Sequence, residues 1–394
     1  MNLKFWESKN KPEQPKKPNE ASLTLSTVTK GMRRDNFIRW QGDIVWQTIQ
    51  TDNAKRFKGT TGGNIKPQYL NQLYRQSPLH SSILNYKIDE VLDCLRYEMK
   101  PNISAKEKVA VNKWLKHTVK TKSDFDGFDD FVKYILTDWF VHGNVYIKIK
   151  KKAGEIISIE HVPADRVRIK ADKMSYEITG YAFSFDWVYK TQNQHIAKYD
   201  PLIQNGEFML SLRNMIPGTI FYGDAKYISA IDSIELDANI AMFHSQNIIN
   251  GIAPSQIMTF FEWPTDPEGL REFKKEILEL TSPDNNGRLL TNFVSDPSKA
   301  PKIESTKKSQ LDKEFLQLMD DIQRNICYAH HIDPSIMGLK TPGSLGNSQE
   351  IEHQTKEFKK TLNTDKKEIS KLLNKLIGLS GVDGLDFSFD LEEK

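Results

Sequence analysis

Small and apolar residues spaced three and four positions apart run through residues 222–251. They are Ala225, Ile228, Ile231, Ile234, Ala238, Ala241, Ser245 and Ile249. This spacing places them on one side of an α-helix, and the segment contains no proline. Such a helix would extend roughly 40 Å. Asp224 would suit the positive end of the helix dipole in the first turn, and Gly251 would end the helix.

Acidic side chains accompany this predicted helix, and a second helix is predicted further along the chain. Asp232, Glu235 and Asp237 lie off the apolar stripe and give the first helix an acidic side. In residues 311–330, the apolar stripe consists of Leu311, Phe315, Leu318, Ile322 and Ile326. We predict that the two helices form a stem and bury their apolar sides against other copies arranged in a closed ring.

The remaining periodicity predicts an α+β chain in which helices predominate. Helical spacing recurs over residues 66–99, 104–119, 125–141 and 349–378. Ser104, with Glu107 three residues later, has the pattern of a capping box. Alternation predicts an antiparallel β unit over residues 144–215. Residues 252–310 are expected to form a small α/β insert between the two long helices, with strands over 255–261 and 288–294 and a helix over 267–280. Residues 37–47 alternate as either a short strand or a helical turn would, and both interpretations stay open.

Composition indicates a globular chain without a strong electrostatic bias. Of 394 residues, 38% are hydrophobic and 27% are charged, which is enough apolar material for a core. The 55 basic and 52 acidic residues leave a net charge of +3, whereas a protein that grips nucleic acid is normally more basic. Because the sequence has no apolar run of about 18 residues, we expect no membrane span.

The N-terminus and the cysteines bear on the compartment in which the chain folds. Residues 1–35 are polar and rich in proline and lysine, which predicts a disordered arm rather than a secretory signal. Cys94 and Cys327 lie far apart in the sequence and argue against a disulfide framework. This usage fits a reducing compartment during folding.

The residue types that usually carry catalysis or bind metals form no recognisable motif. The chain has no His-Glu-x-x-His pattern, no Gly-x-Ser-x-Gly elbow and no phosphate loop that ends in Gly-Lys-Ser/Thr. The acidic cluster at residues 124–130 is explained by a helix start, where carboxylates are favoured. His142 and His330 are interpreted as structural residues in a turn and at a helix end. We therefore expect no enzymatic activity, no metal and no cofactor.

Four blocks of sequence follow one another in a characteristic order. The first, DFVKYILTDWFVHGNVYIKIKKKAGEIISIEHVPADRV, has a helix, a Gly-Asn corner and two strands. In the second, FYG leads into the long predicted helix, which ends at NGIAP. The third is GRLL at residues 287–290, and the fourth starts at Ile322 and includes IDPSIMG, a glycine-rich loop and an Asn-Ser-led helix. Together these blocks resemble the portal (head–tail connector) proteins of tailed bacteriophages.

This resemblance implies a dodecameric ring at one capsid vertex of a virion, assembled in the host cytoplasm. The implied fold has an antiparallel β wing, a long-helix stem and a small α/β clip. The implied division of the chain is an N-terminal arm (1–35), a wing (36–217), the first stem helix (218–251), a clip (252–310), the second stem helix (311–333), a tunnel loop (334–348), a tunnel or crown helix (349–378) and a C-terminal tail (379–394).

The resemblance also implies partners and a channel. Double-stranded DNA would pass through the ring during packaging and ejection without being read for sequence. The implied protein partners are the terminase large subunit, the major capsid protein and a head-completion or adaptor protein. In the tunnel loop, the candidate phosphate contacts are Lys340, Thr341, Ser344 and Asn347. The candidate channel-lining residues of the stem are Asp232, Glu235 and Asp237, because an acidic side would let DNA slide rather than bind tightly.

Two other classes of protein stay open at this point. One is a different structural protein, such as a minor capsid or adaptor protein, which would show another stoichiometry or lack an axial channel. The other is a nucleic-acid-processing enzyme, which would show metal-dependent nuclease activity.

Overall fold

The fold was analysed in a computed structural model of the chain. The structure describes residues 37–48, 65–101, 103–121, 127–185, 187, 193–250, 256–260, 266, 268, 269, 271, 275, 289–293, 308–339 and 348–391. Throughout, it is an α+β fold with helices packed on a mixed sheet.

For reference we keep the predicted names wing (residues 36–217) and stem (residues 218–251 and 311–333). The helices of the described residues are given in chain order. They are α1 (Ile65–Gln76), α2 (Pro78–Asp93), α3 (Ala105–Lys113), α4 (Phe128–His142), α5 (Ile231–Asn250), α6 (Lys308–Ala329), α7 (Ser348–Thr361) and α8 (Asn363–Leu379). The predicted capping box at the start of α3 is confirmed, since Ser104 accepts from the Glu107 N–H and Glu107 accepts from the Ser104 N–H. A π-helical turn, Trp114–Thr118, continues α3.

The strands of the described residues form one large sheet and two small ones. They are β1 (Phe37–Gln41), β2 (Ile44–Thr48), β3 (Leu95–Met99), β4 (Val119–Lys120), β5 (Asn144–Lys152), β6 (Glu155–Val162), β7 (Val167–Ala171), β8 (Ile178–Phe183), β9 (Gln194–Lys198), β10 (Gly206–Arg213), β11 (Gln256–Phe260), β12 (Leu289–Phe293) and β13 (Leu385–Phe389). In the described residues, the large sheet has the order β1-β2-β7-β8-β9-β10-β5-β6-β4, and β3 pairs with β13.

The β unit predicted over residues 144–215 differs from the prediction in the direction of one pairing. Most neighbours are antiparallel, but β9 runs parallel to β10; outside the predicted range, β4 runs parallel to β6. The unit is therefore mixed rather than wholly antiparallel. Alternation along a strand reports which side of it is buried and carries no information about the direction of its neighbour. The open interpretation of residues 37–47 is also resolved, because β1 and β2 form an antiparallel hairpin around Gly42.

The first stem helix begins later than predicted. Residues 222–227 are irregular, a 3-10 turn follows at Ile228–Ala230, and α5 starts at Ile231. The 20-residue helix therefore extends roughly 30 Å rather than 40 Å. Tyr222, Asp224 and Tyr227 are buried in contacts with the wing, and these contacts hold the segment out of the helix. The placement of Asp224 in a first helical turn is thus wrong.

Two other long helical predictions are interrupted. The segment predicted over residues 349–378 consists of α7 and α8, separated at Leu362, whose buried side chain packs into the core. The segment predicted over 66–99 breaks at Ser77, as expected from its cap, but ends at Asp93. Residues 95–99 are strand β3 instead, because they pair with β13 from the far end of the chain.

The insert between the stem helices is described in part. Its two predicted strands are present as β11 and β12, which pair in parallel. The helix predicted over residues 267–280 lies largely outside the described residues. The helix predicted over residues 311–330 is confirmed as α6, which begins at Lys308 and ends at Ala329.

Two apolar layers flank the large sheet. On one side, Val145, Ile147 and Ile149 of β5 belong to a large core. This core also includes residues of the wing helices, of α8, of the N-terminal turns of α5 and of the C-terminal turns of α6. On the other side, Tyr146 of the same strand joins a smaller core with Phe221. The stem thus enters the wing where the sheet is covered on both faces.

Candidate stem base and subunit-contact surface

Two of the glycine-containing motifs meet at the base of the stem. Asn144 donates from Nδ2 to the Gly223 carbonyl at 2.9 Å, and its Oδ1 accepts from the Gly223 N–H at 2.7 Å. Gly143 has φ +64°, and a Cβ atom there would lie 2.1 Å from the Asp224 carbonyl oxygen. A Cβ atom at Gly223 would lie 2.3 Å from the Gly143 carbonyl oxygen. The backbones therefore approach as closely as glycine allows at both positions.

Two tyrosines anchor the segment that leads into α5. The Tyr222 hydroxyl donates to the Val45 carbonyl at 2.6 Å and accepts from the Ile169 N–H at 2.9 Å. The Tyr227 hydroxyl donates to the Val141 carbonyl at 2.8 Å. Burial raises the pKa of Tyr222 to about 12 and raises the pKa of Tyr227 as well. Both side chains are therefore uncharged structural bridges between stem and wing.

A buried ion pair adds to this anchor. The Lys66 ammonium at the start of α1 contacts the Asp224 carboxylate, and both side chains are 3% exposed. Asp224 also accepts from the Ala225 N–H at 3.0 Å. Sequence reasoning missed this pair because its members are separated by 158 positions and neither belongs to a motif. We call Gly143, Asn144, Gly223, Asp224 and their partners Lys66, Tyr222 and Tyr227 the stem base.

The three carboxylates proposed for the channel lie on the first two turns of α5. Glu235 accepts from the Tyr69 hydroxyl at 2.8 Å, and Asp237 accepts from the Ser77 hydroxyl at 2.6 Å. Partial burial raises the pKa of Asp237, although the Ser77 hydrogen bond opposes the shift. Asp232 is exposed. Within one chain, Glu235 and Asp237 thus contact the wing helices, and their role in lining a channel stays a prediction.

Large apolar side chains face solvent along the stem helices. Tyr328 is 66% exposed and Leu316 is 62% exposed on α6. We call the following set the outer stem residues: Leu236 and Met242 on α5, and Leu316, Leu318 and Tyr328 on α6.

The proposed tunnel-loop contacts lie outside the described residues. Lys340, Thr341, Ser344 and Asn347 fall in the gap between residues 339 and 348. The described residues before this gap form a 3-10 turn, Pro334–Met337, which Asp333 caps by accepting from the Ser335 N–H at 2.9 Å. Gly338, at φ +75°, ends the turn.

In the described part of the chain, no group of three or more His, Cys, Asp or Glu side chains is arranged to hold a metal ion. Among the helices built from described residues, none combines the length and apolar character that crossing a membrane requires.

Comparison with known proteins decides the family. A family model described as "Phage portal protein" matches residues 92–394, which is most of the chain. The chain belongs to the phage portal protein family. A search of curated proteins found no match. The matched residues include α4, β5, α5, α6 and the contact of Asn144 with Gly223.

Solved structures share the portal-like fold at low sequence identity. A chain in the virion of a native gene transfer agent (GTA) particle is 14% identical, with a TM-score of 0.53, and the match covers 94% of this portal-family chain and 90% of that chain. A chain in the neck of an empty GTA particle computed with C6 symmetry is 14% identical, with a TM-score of 0.53 and coverage of 89% and 87%. A chain in the neck of a native GTA particle computed with C12 symmetry is 15% identical, with a TM-score of 0.50 and coverage of 83% and 85%.

Proposed function

We propose that copies of this chain assemble into a dodecameric ring at one capsid vertex, with an axial channel for double-stranded DNA. The observation that carries the proposal is the set of outer stem residues, which one chain leaves in contact with water. Burial of apolar surface is the main driving force of protein association. A neighbouring copy in a ring would remove these side chains from water. The C12 symmetry with which a similar neck structure was computed supports this stoichiometry.

DNA would pass through the ring during packaging and ejection, because the chain has too little net positive charge to bind it tightly. A net charge of +3 on 394 residues is small, and each phosphate neutralised by a cation adds to affinity through counterion release. An acidic α5 and a loop with one lysine, Lys340, would permit weak contact without sequence readout. Thr341, Ser344 and Asn347 complete this proposed contact.

The ring would also act as a docking platform in the virion. The terminase large subunit would bind during packaging, a head-completion or adaptor protein would bind afterwards, and the major capsid protein would surround the wing. We propose no catalytic role for the chain itself. The matching family and the similarity to neck structures support a structural role.

Mass measurement and negative-stain imaging of the purified full-length protein test the ring. We expect closed rings of twelve copies with a central channel. The variants Leu318→Glu and Tyr328→Glu should shift the protein toward monomers, since each would place a charge in the subunit contact. Leu202→Glu is the matched control, because Leu202 is 82% exposed in a loop of the wing sheet. A stable wild-type monomer, or rings unaffected by either α6 variant, would contradict the proposal.

Deletion of residues 340–346 tests the contact with DNA. The truncated protein should form normal rings, because the described core does not include these residues, while particles that contain it should package or retain less DNA. Normal DNA content in such particles would exclude the loop from this role.

A further inference from the structure

A buried chain of polar side chains joins the second stem helix to the wing. His330, at the end of α6, lies between two residues of α2. Its Nε2 is 2.9 Å from Nδ1 of His80, and its Nδ1 is 3.2 Å from the Lys87 ammonium nitrogen. The rings of His80 and His330 also pack on Tyr227, with centroids 4.4 Å and 5.1 Å away. The four side chains are between 0% and 7% exposed.

Hydrogen-bond chemistry determines which atoms donate and which accept among Lys87, His330 and His80. An ammonium group can only donate, so Nδ1 of His330 must accept from Lys87. His330 then carries its proton on Nε2 and donates it to Nδ1 of His80. His80 in turn carries its proton on Nε2, which has no hydrogen-bond partner among the described residues. Both histidines must therefore be neutral for these two hydrogen bonds to form.

A second proton on either ring would break the arrangement. On His330 it would occupy Nδ1 and face the Lys87 ammonium, and on His80 it would occupy Nδ1 and face the His330 N–H. Each case places two donors within about 3 Å of each other, where one hydrogen bond had been. The added charge would also be buried, and it would lie next to a cation rather than a carboxylate.

The charged and titratable groups around the two rings come from all the elements packed there. They are Lys87 on α2, Tyr69 on α1, Asp224, Lys226 and Tyr227 before α5, His331 after α6, and Asp365 on α8. Asp365 forms a salt bridge with Lys226 at 2.7 Å and accepts a hydrogen bond from the Trp139 indole N–H at 2.7 Å. Burial lowers the pKa of His80 to about 3, and burial with the Lys87 charge lowers the pKa of His330 well below its usual range.

We propose that the His80–His330 contact is a proton-sensitive joint, which holds the second stem helix to the wing at neutral pH and releases it on acidification. Release requires only that α6 and α2 separate locally, so the inference concerns a single chain and does not depend on the ring. A histidine exposed by that separation would regain its ordinary pKa of about 6.5 and take up a proton. Two such protons make the opening equilibrium steeply dependent on pH.

Hydrogen–deuterium exchange of the full-length protein at pH 7.5 and pH 5.0 tests the joint. After correction for intrinsic exchange rates, the opening constant of peptides that cover residues 78–88 and 322–332 should rise about 1,000-fold in the wild type. His80→Asn keeps an acceptor near the Nδ1 position and leaves one titrating histidine, so its rise should be about 30-fold. His330→Gln should give a similar value. His331→Asn, at the exposed neighbouring position, is the control and should respond as the wild type does.

Several outcomes would overturn the joint. One is wild-type exchange at residues 322–332 that does not change with pH, which needs no variant to observe. Another is an equal loss of protection in β5, since this would indicate global unfolding rather than local release. A third is a His80→Asn protein that folds and keeps the full wild-type response.

Discussion

The stem base and the outer stem residues differ in what surrounds them within one chain. At the base, Asp224 pairs with Lys66, and Asn144 forms hydrogen bonds with the Gly223 backbone. The tyrosine hydroxyls form hydrogen bonds with backbone groups. Along α5 and α6, the outer stem residues face solvent. The base is thus complete within one chain, whereas the outer stem residues would be covered only in the proposed ring. Substitutions at the base should therefore affect folding, and substitutions on the outer stem should affect association.

The largest loss of stability is expected at the glycine joint. Gly143→Ala would combine a positive φ with a Cβ atom 2.1 Å from the Asp224 carbonyl oxygen. The free energy of unfolding should fall by about 4 kcal/mol or more, measured by urea unfolding. Gly42→Ala is the control, because Gly42 also has a positive φ, of +63°, but has open space around it. It should cost only about 1 kcal/mol, and equal losses would show that φ alone accounts for the effect.

The next largest effect is expected at the buried ion pair. Lys66→Met should cost about 3–5 kcal/mol, because it removes one partner of a buried ion pair. The double variant Lys66→Met/Asp224→Leu should recover most of that loss. Thermal unfolding of the single and double variants measures both values. The exposed pair Lys371–Glu368 is the comparison, and Lys371→Met should cost less than about 0.5 kcal/mol. A double variant no more stable than Lys66→Met would contradict this account of the buried pair.

Alkaline pH should weaken the base through its tyrosines. Because burial raises the pKa of Tyr222 from 10.0 to about 12, the unfolded chain loses this proton first between those values. Stability is therefore complete below pH 10 and falls above it, by about 1.4 kcal/mol per pH unit for this one group. Urea unfolding across this range measures the slope. Tyr222→Phe should be less stable at neutral pH, but its free energy of unfolding should fall less steeply above pH 10, by about 1.4 kcal/mol per pH unit. An unchanged slope would show that Tyr222 is not the group responsible.

The smallest change in stability is expected on the outer stem. Leu236→Ser should alter the free energy of unfolding of the free subunit by no more than about 0.5 kcal/mol, since the side chain is already in contact with water. The same variant should weaken association, which analytical ultracentrifugation measures. If Leu236→Ser unfolds the subunit but leaves association intact, the contrast between base and outer stem is wrong.

Local patterns in the sequence predicted much of the fold. The capping box at Ser104, the Gly143 corner, most strands of the wing and the second stem helix all depend on neighbouring residues, and all are present. The interruption at Leu362 and the late start of α5 depend on tertiary packing instead. No local signal distinguishes an apolar residue that continues a helix from one that is pulled into a core.

The stem base was predictable only as separate pieces. The Gly-Asn corner and the Tyr-Gly motif were each visible, but their mutual hydrogen bonds join positions 79 apart. Lys66 and His80 belong to no motif, and their partners Asp224 and His330 lie far along the chain. His330 was interpreted as a structural residue at a helix end, and its buried contacts agree with that interpretation. The sequence did not indicate that its partner is a second histidine, His80. The division into wing, stem, clip and tunnel parts stays a prediction.

The pairing of β3 with β13 has a consequence for the order of events on the ribosome. Residues 95–99 leave the ribosome early, but the strand that pairs with them is translated near residue 389. At ordinary elongation rates of roughly 5–20 residues per second, the early strand waits on the order of tens of seconds for its partner. The pairing of β3 with β13 must therefore wait until residues 385–389 have been translated.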